Sequence, residues 1–311
     1  MQPFFVGVVM KAMAHGLYEP LPDNIFEYKF DWDPTLVFFL LIMIFYVRGL
    51  RTFKKKPVRN WQIGLFFIGV IINVAALSPP IDPLSDRLFF MHMVQHLAII
   101  LLGSPLMIMG APFNVIIRSM KPWTRRNLYF PFVKNIVIRT IHNFFSKPIV
   151  SLIVFNLNFW FWHLPRWYNL ALLNDFFHLL EHAMMALTSI YLWRNIVDPK
   201  PLKSDLHMGL RILFLAAFMA LNIILAGMLT YADELWYAYE GIPMPSWWAE
   251  RWTHLDDQRL GGIIMWVPGG FITFMSMTIC FFVWVAREKE KERNLLEEKR
   301  KLDGSEPVGE L

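Results

Sequence analysis

Residues 208–230 read MGLRILFLAAFMALNIILAGMLT, with Arg211 as their only ionisable side chain. At about 1.5 Å per residue, a helix of this length reaches about 35 Å, enough to cross a hydrocarbon core of about 30 Å. Six other stretches share this character: 34–52, 61–78, 84–109, 148–164, 176–194 and 259–286. No strand-like alternation or internal repeat competes with them. In lipid, every backbone polar group needs an internal partner, so such segments fold as helices.

The composition agrees. Apolar residues make up 56% of the 311 and charged residues 18%, against about half and about a quarter in soluble domains. A net charge of +5 is compatible with nucleic acid or a membrane surface. Nucleic acid is excluded because the basic residues lie in loops between apolar spans. A single cysteine, Cys280, rules out a disulfide within the chain and a thiolate metal cluster. It reads as a small buried hydrophobe.

The loops orient the chain. One alternating set holds Arg48 to Arg59, Arg118 to Lys147, Arg194 to Arg211 and the tail from Arg287, and with them 24 of the 30 Lys and Arg residues. The other set holds Lys11, Lys29, Arg87, Arg166, Arg251 and Arg259. The positive-inside rule makes the first set cytoplasmic. The expectation is an all-α integral membrane protein with seven transmembrane helices, the N-terminus outside and the C-terminus cytoplasmic. Residues 1–33 form an extracytoplasmic N-terminal segment, 34–286 the transmembrane domain and 287–311 a charged cytoplasmic tail. Met1 to Ala14 faintly resembles a signal peptide. With no basic side chain before its short apolar run, it reads as uncleaved. The tail alternates Glu with Lys and Arg as a solvated extension of the last helix. Residues 231–257 are rich in Trp and acids, and their Trp side chains suit an interfacial belt. The last span contains no lysine, so it cannot form a retinal Schiff base.

Six of the nine histidines fall in or beside the outer half: His92, His96, His163, His178, His182 and His254. His92 and His96 are one i, i+4 pair, and His178 and His182 are another, so each pair shares a helix face. With the third span starting at residue 84, His96 lies about 15–18 Å below the start of its helix, and His182 about 9 Å below its own. His163 ends the fourth span at the same surface. Ionisable groups inside a bilayer usually face the protein interior and serve a function. Imidazole suits Zn, Cu, Fe and Ni, and thioether favours Cu(I). Met91, Met93, Met184 and Met185 flank the pairs, although most methionines here are packing residues. Gln95 and Glu181 are placed to orient the rings. Asp82 and Ser85 read as helix caps. The candidate metal ligands are therefore His92, His96, His163, His178 and His182, with no catalytic residue required. His15 reads as a surface residue and His254 as solvated.

Several separated motifs resemble the CtaG family, the multi-span bacterial cytochrome c oxidase assembly factors. They are Ser78-Pro79-Pro80-Ile81-Asp82-Pro83-Leu84-Ser85-Asp86-Arg87-Leu88-Phe89 with His92 to His96, and Gly103-Ser104-Pro105-Leu106 through Gly110-Ala111-Pro112. Trp162-His163-Leu164-Pro165 with Tyr168 and Leu170, the His178 to His182 pair, and Asp257-Gln258 with Gly261 through Gly270 complete the set. The likeness spans about residues 34–286. It implies a non-enzymatic factor in the bacterial cell membrane, with oxidase subunits and membrane lipid as partners and copper loading of the buried CuB centre as its task. The histidines alone leave the metal open. Three other readings stand beside this one. They are a haem-binding redox protein, a scaffold whose histidines bond across helices, and an intramembrane protease using the H-x-x-E-H pattern of His178 to His182.

Overall fold

The computed structural model describes residues 21–22, 27–28, 34–53, 58–198 and 204–302. His15, most of the N-terminal segment and the end of the tail lie outside them. The regular structure of the described residues is all helical, with no strand among them. The main helices are α1 (Pro34–Arg51), α2 (Asn60–Ala76), α3 (Ile81–Ser85) and α4 (Phe89–Met109). They continue with α5 (Pro112–Ser119), α6 (Ile136–Ser146), α7 (Pro148–Trp162) and α8 (Pro165–Leu172). The last three are α9 (Asp175–Val197), α10 (Met208–Thr230) and α11 (His254–Leu302).

Local chemistry sets several of these boundaries. Proline opens α5, α7 and α8, where its missing N–H costs nothing. The Asn174 side chain caps α9 by accepting from the N–H groups of Phe176 and Phe177 at 3.1 and 3.4 Å. Helix α4 has no side-chain cap of its own. Instead Asp257, at the start of α11, accepts from the Phe89 N–H at 2.6 Å. Asp82 and Ser85, expected as caps, lie inside the short α3, where the Ser85 hydroxyl donates to the Asp82 carbonyl.

A helix lies in each of the seven apolar stretches. Among the described residues, three helices are long and apolar enough to cross a membrane: Phe89–Met109, Met208–Thr230 and His254–Arg300. Ile136–Ser146 with Pro148–Trp162, bent by 81° at Lys147, is a fourth candidate. Only 33% of the apolar window of α10 and 17% of that of α11 is buried. Leu213 and Ile224 on α10, and Phe271, Ile279 and Phe282 on α11, face outward. Such apolar exteriors belong in lipid, and the chain is a membrane protein.

Two apolar cores fill the bundle. One joins α4, α7, α9, α10 and α11, and the other joins α1, α2, the second half of α4 and α5. Helix α11 approaches its neighbours through a glycine pair. A Cβ at Gly261 would stand 2.2 Å from the Phe89 ring, and one at Gly262 2.6 Å from Thr230 Oγ1. Small residues at such crossings let backbones meet closely. Helix α4 contains a π-helical turn at Ala98–Gly103. There the Ile100 carbonyl accepts from Ser189 Oγ at 3.0 Å and from Trp193 Nε1 at 2.8 Å. These bonds fix α4 against α9, and the two helices run in the same direction.

Candidate metal centre

Helix α4 begins at Phe89, not at residue 84, because residues 81–85 form a separate short helix. His92 and His96 are therefore the third and seventh residues after its first. On α9, His178 and His182 are also the third and seventh residues after Asp175. Two parallel helices with the same offsets bring both pairs to one level. His96 sits about 10 Å into its helix, as His182 does.

The four imidazoles pack against one another. Ring centroids are 4.2 Å apart for His92 and His96, and 4.4 Å for His178 and His182. Between helices they are 5.7 Å apart for His92 and His178, 6.2 Å for His92 and His182, and 5.5 Å for His96 and His182. Glu181 completes the group. Its Oε1 lies 3.6 Å from His92 Nε2 and 3.7 Å from His96 Nε2. One donor atom from each of His92, His96 and Glu181 falls within 4.8 Å of the others. Each residue turns a helix by about 100°, so Glu181, His178 and His182 share an arc of roughly 100° facing α4.

This group is dry. His92 and His182 are 3% exposed, and His96 and Glu181 are 0% exposed. Both Glu181 oxygens, His92 Nε2 and both ring nitrogens of His96 and of His182 have no hydrogen-bond partner among the described residues. Buried polar atoms are nearly always satisfied, and a bare buried carboxylate is costly. Two ligands held about 2.0–2.1 Å from a tetrahedral cation stand about 3.4 Å apart. The observed 3.6 and 3.7 Å differ from this by tenths of an ångström. The donor set therefore fits a cation bound by imidazole and one carboxylate.

The edge of the group opens to solvent. His178 Nδ1 lies 3.9 Å from Asp86 Oδ1, with side-chain exposures of 20% and 38%. The segment after α10 covers the opposite edge. Tyr168 and Tyr239 share a hydroxyl–hydroxyl hydrogen bond of 2.6 Å, and the Tyr168 ring lies 5.2 Å from that of His92. Tyr237 stacks on Phe89 and donates to the His163 carbonyl at 3.0 Å. The Ala238 N–H donates to Asn169 Oδ1 at 2.8 Å, and that of Trp236 to Gln258 Oε1 at 2.7 Å. Burial, above all, pushes the Tyr239 hydroxyl well above its ordinary value, so it stays neutral.

The remaining sequence candidates make further contacts around the group. His163 caps the end of α7, its ring packed on Phe159 at 4.4 Å and its Nδ1 2.7 Å from the Phe159 carbonyl. Its Nε2 is buried without a hydrogen-bond partner and the ring is within electrostatic range of His92 and His96; like His178 and His182, it is not among the three residues whose donor atoms share 4.8 Å. Gln95 does not orient a ring. Its amide donates to the Ala76 carbonyl at 2.9 Å and to Asp82 Oδ1 at 2.8 Å. The Met185 sulfur accepts from Asn158 Nδ2 at 3.5 Å. His254 stacks near Tyr239 at 6.2 Å. Sequence reasoning cast Glu181 only as an orienting group and missed the tyrosine cover and the Asp257 cap. The one available signal was the placement of Glu181 inside the H-x-x-E-H run.

No curated protein and no solved structure matches the chain. The model of the family described as cytochrome c oxidase caa3 assembly factor (Caa3_CtaG) matches residues 44–287, which include every helix of the histidine group, and the chain belongs to that family.

Proposed function

We propose that this assembly factor binds copper transiently, as Cu(I), at the group formed by His92, His96, His178, His182 and Glu181, and passes it to an oxidase subunit for the CuB centre. The observation that carries the proposal is the convergence of four imidazoles and a carboxylate, of which His92, His96, His182 and Glu181 are buried in an apolar bundle with most of their polar atoms lacking a hydrogen-bond partner. His163 serves as a further donor on the receiving side, since its buried Nε2 has no hydrogen-bond partner. Copper is the cargo. It enters and leaves without a bond being made or broken in the protein, so no catalytic base is needed.

In this reading the chain crosses the membrane seven times, with its N-terminus outside and the histidine group near the outer surface. The charge asymmetry of the loops supports that orientation. The partly exposed Asp86 and His178 form the mouth through which the cation passes.

The alternatives fare less well. A scaffold role predicts histidines bonded across helices, whereas His92, His96 and His182 have nitrogens without a hydrogen-bond partner. Haem iron needs two imidazoles on opposite faces of a porphyrin. Facing rings of the two helices only 5.5–6.2 Å apart leave no slot for such a plane. A protease reading leaves His92 and His96 without a role.

The test is Cu(I) titration of the purified full chain against a chromophoric chelator, beside the His92→Ala/His96→Ala variant. Tight stoichiometric binding, weakened at least about tenfold in the variant, is expected. Equal affinity in the two proteins rules the proposal out.

A further inference from the structure

Residues 121–147 link α5 to α7 and take no part in the histidine group. They contain short helical turns between Pro122 and Lys134, followed by α6, and none of these elements has a buried residue. Large apolar side chains point away from the protein along the whole stretch. Trp123, Leu128, Phe132, Val137, Ile141 and Phe144 are between 51% and 66% exposed. Val137, Ile141 and Phe144 recur at i, i+4 and i+7, one stripe of α6. The side of α6 next to this stripe is anchored on α9. His142 Nδ1 lies 3.2 Å from the Tyr191 hydroxyl, and the Phe145 and Tyr191 rings are 6.1 Å apart.

Basic residues interleave with the apolar ones: Lys121, Arg125, Arg126, Lys134, Arg139 and Lys147. No acidic residue occurs between Asp86 and Asp175. The stretch is therefore cationic with no internal counter-charge. Helix α6 also meets α7 at 81°. When α7 stands along the bilayer normal, α6 lies nearly in the bilayer plane.

An exposed apolar stripe, an uncompensated basic stretch and an in-plane helix together define an interfacial segment. We infer that residues 121–147 bind anionic phospholipid, with the apolar side chains inserted at the acyl boundary and the basic side chains on the headgroup phosphates. Zwitterionic lipid satisfies the first requirement but not the second. Each basic residue near an anionic surface strengthens the attraction by roughly fivefold at moderate salt. The anchor would hold the base of α7 and, through Tyr191, the end of α9 remote from the histidines. The inference needs no metal and is independent of the copper reading.

The test uses the full chain in nanodiscs of mixed phosphatidylglycerol and phosphatidylcholine. The lipids that remain bound on gentle release are counted by native mass spectrometry. Retained lipid should be enriched in phosphatidylglycerol at least about threefold over the nanodisc composition, given that per-residue attraction. The variant Arg125→Gln/Arg126→Gln/Lys134→Gln/Arg139→Gln should lose that enrichment. Raising the salt on the unmodified chain should weaken it in parallel, which keeps the test sound if the variant fails to fold. Retention at the nanodisc ratio by the unmodified chain overturns the inference and leaves the stripe for a protein partner. Enrichment that survives both the substitutions and salt also overturns it.

Discussion

Glu181 Oε1 on α9 stands 3.6 Å from His92 Nε2 on α4, both groups buried and neither atom hydrogen-bonded. The contact joins segments far apart in sequence. It depends on two helices that start at the same level and run parallel, fixed at the Ile100 carbonyl.

Replacing Glu181 by Gln keeps the shape of the side chain and removes the anionic oxygen. Cu(I) affinity should fall at least about tenfold, while the helical circular dichroism stays unchanged. Chelator competition measures the first and far-UV spectra the second. An unaltered affinity would remove Glu181 from the donor set.

Asp86 lies at the exposed mouth beside His178. A negative charge there speeds the approach of a cation without holding it in the buried group. Asp86→Asn should slow copper uptake about threefold at low salt and leave the equilibrium affinity nearly constant. Stopped-flow loading over a range of ionic strength is the check. The difference should shrink as salt is raised.

Asp257 supplies the cap that α4 lacks. Asp257→Ala should destabilise the protein by about 1–2 kcal/mol, within the range of lost helix caps. Asp257→Asn retains an acceptor oxygen and should lose less. Thermal unfolding of the full chain in one detergent compares the three proteins.

Gly262 faces the Thr230 backbone N–H at 2.7 Å from its would-be Cβ, whereas nothing lies within 4 Å of one at Gly270. Gly262→Val should force α10 and α11 apart and cost about 1–3 kcal/mol. Gly270→Val should be nearly neutral. Equal melting temperatures for the two variants would mean that the crossing is looser than described.

The apolar runs made the helices legible, since length and hydropathy alone mark 208–230. Ends were harder. The span read from residue 84 runs across the polar triplet Ser85-Asp86-Arg87, where α3 ends at Ser85 and after which α4 restarts at Phe89. The cue for that restart is Asp257, a partner 168 residues away. The i, i+4 histidine pairs were legible because helical spacing is a local property. Their meeting was not, because it depends on which helices are neighbours. His163 shares their level in sequence and lies within electrostatic range of His92 and His96, with its Nδ1 taken by the Phe159 carbonyl. Gln95 looked like a ring-orienting group, but the carbonyl left by the end of α2 claims its amide.

The central claim is that imidazoles of two helices hold copper in the bundle. X-ray absorption at the copper edge of the Cu(I)-loaded full chain tests it most directly. The account predicts a first shell of nitrogen and oxygen at about 2.0–2.1 Å with the outer-shell scattering of imidazole rings. A sulfur shell near 2.3 Å, or no imidazole scattering, would contradict it.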